Sequence, residues 1–142
     1  MRSFTLIATL ALLVTCSACK KDDPASSTDQ FTNRLTLGTG MNASNFTLTG
    51  EGSTFNRAAG IATIYYRLES AADFGGAGVS IKIEKQSGSS YTVVGTYPYT
   101  NPQNYGHIIM SAFAVSDIGS YRATGLLTAT SAAVATTTFT VQ

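Results

Sequence analysis

A chain of 142 residues with nine Lys+Arg, eight Asp+Glu and one histidine carries a formal charge of +1. Charged residues make up only 12%, so there is no basic patch of the kind that neutralises phosphates, and nucleic acid is excluded as a partner class. Thr, Ser, Gly, Ala and Tyr are abundant instead, which suits strands and turns rather than helices.

The first element is a leader. Arg2 precedes an apolar run at residues 4–14, FTLIATLALLV. Eleven apolar residues cannot span a bilayer, which needs about 20, but they fit a secretory signal. Both cysteines follow, in "TCSACKKDD". This stretch resembles a bacterial lipoprotein signal, in which the +1 cysteine is acylated. Two registers compete: Leu13-Val14-Thr15 ahead of Cys16, and Cys16-Ser17-Ala18 ahead of Cys19. The run after Cys19, "KKDD", resembles the lysine-then-acidic signal that sends Bacteroidota lipoproteins outside the outer membrane, and it favours Cys19. The resemblance implies a signal peptide at residues 1–18, lipid on Cys19 and an outward-facing outer-membrane location. Cys16 is then discarded, and the mature domain has no thiol for a disulfide or a sulfur-bound metal. Acyl chains contribute about 0.8 kcal/mol per buried CH₂, so two or three of them anchor the protein without a transmembrane helix.

Residues 20–32 (KKDDPASSTDQFT) are polar and aperiodic, as expected of a flexible tether. Residues 33–142 are enough for one domain that buries about 65% of its unfolded surface. Once Arg2 leaves with the leader, eight basic side chains face eight acidic ones.

The domain alternates with period 2. "RLTL" and "NFTLT" are two short strands around a Gly-rich loop. In "GIATIYYRLES", Ala62, Ile64, Tyr66 and Leu68 share one face. In "GVSIKIEK", Val79, Ile81 and Ile83 point in. "SYTVVGTY", "HIIMSAFAV", "SYRATGLLT" and "VATTTFTVQ" complete about seven to eight strands, the pattern of an all-β antiparallel sandwich.

Residues 107–123, "HIIMSAFAVSDIGSYRA", resemble the end of strand E and the start of strand F in immunoglobulin-like domains. Ile108, Met110 and Phe113 fill the apolar places, and Asp117, Gly119 and Tyr121 fill D-x-G-x-Y. The resemblance implies a tyrosine corner: Gly119 permits the tight turn and the Tyr121 hydroxyl bonds back to upstream backbone. Ala123 stands where the strand-F cysteine would be, so the sandwich is expected without its disulfide, with Tyr66 packed against Ala123 in its place.

Few residues offer chemistry. "GTGMNA" at residues 38–43 matches G-x-G-x-x-A, but a strand follows it rather than the helix a dinucleotide needs. "DFGGAG" at residues 73–78 reads as a Gly-rich turn. His107, expected to point outward, has no second histidine and no nearby cysteine, so neither a metal centre nor a cofactor site is expected. No G-x-S-x-G elbow supports a hydrolase. Glu69 and Glu84 are expected on solvated outward positions. The strongest site signal is "TYPYTNPQNYGH" at residues 96–107, read as one extended loop. Tyr97, Tyr99 and Tyr105 could stack on a sugar or peptide, with Asn101 and Asn104 hydrogen-bonding to it. The expectation is a non-enzymatic surface module for adhesion, glycan binding or an accessory role. Its alternatives are a structural subunit of an envelope or secretion assembly and, third, a small hydrolase.

Overall fold

The computed structural model describes residues 30–99 and 106–142. Cys16, Cys19, Asn101, Asn104 and Tyr105 lie outside the described residues.

Ten strands follow one another: β1 (Arg34–Gly38), β2 (Gly40–Asn42), β3 (Thr47–Thr49), β4 (Thr54–Phe55), β5 (Ala62–Glu69), β6 (Val79–Ser87), β7 (Ser90–Tyr99), β8 (Ile108–Val115), β9 (Gly119–Leu127) and β10 (Ala133–Val141). Three of them form a sheet in the order β1-β5-β8 and five form another in the order β4-β10-β9-β6-β7. All pairs within the two sheets are antiparallel except β4, which runs parallel to β10. The chain moves between sheets from β1 to β4, β4 to β5, β5 to β6, β7 to β8 and β8 to β9. This is an immunoglobulin-like sandwich. The brief β2 and β4 raise the strand count above the seven to eight expected.

The inner faces meet in one core. Ala62, Ile64, Tyr66 and Leu68 of β5 and Val79, Ile81 and Ile83 of β6 are all buried, so the period-2 reading of both strands holds. Fully burying an aliphatic side chain of this size contributes about 1.5–3 kcal/mol. Burial pushes the Tyr66 phenol up to about 12, a shift only partly opposed by its hydrogen bond with Ser111. Large residues oppose small ones between the sheets, as at Gly125, where an added Cβ would lie 2.7 Å from Leu68. Tyr66 and Ala123 are buried in the same core.

The start of β8 differs from expectation by one residue: Ile109, opposite buried Leu68, points into the core, while Phe113, opposite Ile64, points in as expected. Ile108 and Met110 face outward. Both faces of "HIIMSAFAV" carry apolar residues, so alternation cannot choose between registers. Met110 is nevertheless buried, because the outer face of the three-stranded sheet has a roof. The β2–β3 hairpin folds over that face. Asn45, Phe46 and Thr47 share a groove with Arg34, Thr36 and Arg67, and Ala43 and Phe46 flank Met110. A Cβ on Gly38 would lie 2.7 Å from the Thr49 carbonyl oxygen, so only glycine lets the hairpin approach.

Candidate functional site

The expected tyrosine loop divides in two. Tyr97 and Tyr99 belong to β7 and not to a loop, because β7 is an edge strand where Pro98 needs no ladder partner. Their registers opposite Ile81 and Val79 turn both rings toward the core, against which they pack half-buried. The Tyr97 hydroxyl donates to the Ala114 carbonyl at 3.1 Å, and its ring centroid lies 6.0 Å from that of Phe113.

The corner residues form one unit. The Tyr121 hydroxyl donates to the Asp117 carbonyl at 2.8 Å. Gly119 has φ 141°, a conformation that a side chain rarely adopts, and an added Cβ would lie 3.2 Å from the Lys85 side chain. Lys85 ion-pairs with Asp117 at 3.1 Å.

The arrangement that sequence reading missed lies on the outer face of the five-stranded sheet. Its registers align one side chain from every strand in a transverse row. Thr54 opposes Thr140, which opposes Ser120. The β6–β9 register then brings Gln86 beside Ser120, and Gln86 opposes Tyr91. Phe55, Tyr121 and Phe139, next to them in sequence, point into the core, so this row points out. With Thr138, the row lines an open groove of about 280 Å³.

A second row runs beside it. Glu84 opposes Arg122, whose Nε donates to the carboxylate at 2.8 Å, and Lys82 Nζ approaches the same group at 3.2 Å. Glu84 is only 6% exposed, and Glu69 on the three-stranded sheet is equally buried, which corrects the expectation of solvated charge at both. The Arg122 hydrogen bond holds its pKa below the ordinary glutamate value, against the opposing effect of burial and with help from Lys82. The Arg122 guanidinium carbon lies 4.1 Å from the Tyr91 ring centroid, a cation–π contact that fixes the ring beside the groove. The available signal was Thr136, Thr138 and Thr140 in "TTTFT": alternate hydroxyls on a final strand, visible as a binding feature only once β4 and β6 supply their neighbours.

Among the described residues, no group of three or more His, Cys, Asp or Glu could hold a metal ion. His107 is half-buried, with Nδ1 3.0 Å from the Ser70 carbonyl and its ring stacked on Phe31 at 4.4 Å.

No protein-family model matches the chain, and no curated protein matches it. Among solved structures, it is similar to the crystal structure of an immunoglobulin-like protein from Pseudomonas aeruginosa, with 9% identity, 82% of this chain and 99% of that chain covered, and a TM-score of 0.43. The immunoglobulin-like assignment stands on the strand order itself.

Proposed function

We propose that the chain is a non-enzymatic, lipid-anchored module on the outside of the outer membrane that binds a glycan or a surface protein. The supporting observation is the placing of two ends. The chain enters the domain at one end, where Phe31 stacks on His107, the Thr32 N–H donates to Glu69 at 2.9 Å and Asn33 accepts from the Ala71 N–H at 2.8 Å. The groove lies at the other end, beside the β6–β7 turn at Gly88 and the β9 start at Gly119. A domain held from the first end presents the groove outward. Palmitate-analogue labelling tests the anchor: Cys19→Ser is expected to abolish it and Cys16→Ser to leave it. The opposite pattern moves the anchor to Cys16, and labelling that survives both changes contradicts lipidation. Replacing residues 20–23 by alanine is expected to keep the label and remove protease accessibility on intact cells.

A structural role in an envelope assembly is a second reading, and β8 favours it. β8 is eight residues long, carries no charge and pairs with β5 without a register shift. Among the described residues its other edge has no strand beside it. Proteins usually guard such an edge; here Tyr97 occupies one carbonyl of it, at Ala114. Discrete oligomers cross-linked through cysteines placed on β8 would support this role over a monomeric binding module.

A further inference from the structure

The chemistry of the groove narrows its ligand, given the binding role proposed above. We infer that it takes an uncharged, linear carbohydrate lying across the strands of the five-stranded sheet. The lining supplies the first argument. The transverse row Thr54, Thr140, Ser120, Gln86 and Tyr91 offers four hydroxyls and an amide, each group both a donor and an acceptor. Sugar hydroxyls have the same double character, so the two surfaces can pair without leaving a buried polar group unmatched.

Charge supplies the second argument. No charged side chain lines the groove. Of the neighbouring cations, Lys82 and Arg122 already hold Glu84, and Lys85 holds Asp117. An acidic polymer finds no free counter-charge in the row. An apolar peptide finds little beyond the Tyr91 ring, since Tyr121 and Phe139, which also line the groove, are almost wholly buried.

Preorganisation and length complete the case. Arg122 braces Tyr91 before any ligand arrives, so little side-chain freedom remains to be lost on stacking. Five strands at about 4.8 Å spacing make a row about 19 Å across, which accommodates a short oligosaccharide rather than one sugar. The row is open at the sheet's margins, where β4 and β7 are edge strands, so a longer chain can run through. Such contacts are weak singly and gain strength when many anchored copies engage one polymer.

Affinity electrophoresis of the full chain in detergent, through gels containing neutral glucans, mannans, galactans or xylans and through gels containing a uronic-acid polymer, tests this. At least one neutral polymer is expected to retard the protein and the acidic one is not. Tyr91→Ala and Gln86→Leu should each weaken the retardation at least fivefold. Thr96→Val, on the same face outside the groove, should leave it unchanged. Retardation by the acidic polymer alone overturns the inference, as does retardation that survives both groove variants. If no neutral polymer retards the chain but Tyr91→Ala abolishes attachment of cells to a protein-coated surface, the carbohydrate is wrong and the binding role stands. If cells attach but Tyr91→Ala does not change the attachment, the groove is wrong and the binding role stands; if the unaltered chain is neither retarded by any polymer nor attaches cells, the groove and the binding role both fail.

Discussion

Each sheet turns one glutamate outward, and two cations hold each glutamate, yet the two faces are finished differently. On the three-stranded sheet, Glu69 is held by Arg67 and, at 3.7 Å, by Arg34, and it also accepts the Thr32 N–H. On the five-stranded sheet, Glu84 is held by Arg122 and Lys82 alone. The first face is roofed by the β2–β3 hairpin and tied to the entering chain. The second is bare and lined with hydroxyls. The same local motif therefore serves closure on one side and stiffens a surface left open on the other. Phe46, at the hairpin turn, has φ 55°, a conformation costly for an aromatic residue. The roof is held in place despite that local cost, as a structural layer should be.

The roof gives the largest expected contrast. Leu48 is buried beneath the hairpin, so Leu48→Ala is expected to cost about 2–3 kcal/mol in urea denaturation. Thr138→Ala on the open face should stay within about 0.5 kcal/mol. Equal costs would mean that the hairpin is not a packed layer.

The clamps give the next contrast. Glu69→Ala removes the partner of two arginines and of one backbone N–H, and should cost about 2–3 kcal/mol. Glu84→Ala should cost about 1–2 kcal/mol, since Arg122 and Lys82 can turn to solvent on an unroofed face. The reverse order would contradict a structural role for the first face.

The pH response is smaller and shared. Burial raises the Glu69 pKa, but Thr32, Arg67 and Arg34 outweigh it and the net shift is downward. Glu84 is also lowered, chiefly by Arg122. A carboxyl with a depressed folded pKa stabilises fully above its unfolded value of about 4.3 and loses that contribution as pH falls through the folded value. The melting temperature should therefore hold from neutrality to about pH 5 and then fall. Glu69→Gln and Glu84→Gln should each flatten that acid limb.

The contrast between faces also explains what the sequence disclosed. β5, β6, β9 and β10 alternate cleanly, because each has one face in the core and one in contact with solvent or polar neighbours. The corner was legible because Asp117, Gly119 and Tyr121 are adjacent in sequence and act within four residues. The β8 register was not, since the roof buries Met110 on the face that should have been polar. β4 is two residues, too short to show a period, and its parallel pairing with β10 is a long-range fact. Glu69 and Glu84 were read correctly as outward; their burial comes from neighbouring arginines and lysines, which no single-strand pattern records. The groove needs one residue from each of five strands, so no linear motif carries it.

Hydrogen exchange of the full chain, with and without the neutral polysaccharide that retards it most, tests most directly whether the open face is the working one. Slowed exchange is expected around Gln86–Tyr91, Gly119–Arg122 and Thr138–Gln142, with β1, β5 and the β2–β3 hairpin unchanged. Protection confined to the hairpin and the three-stranded sheet would contradict the account.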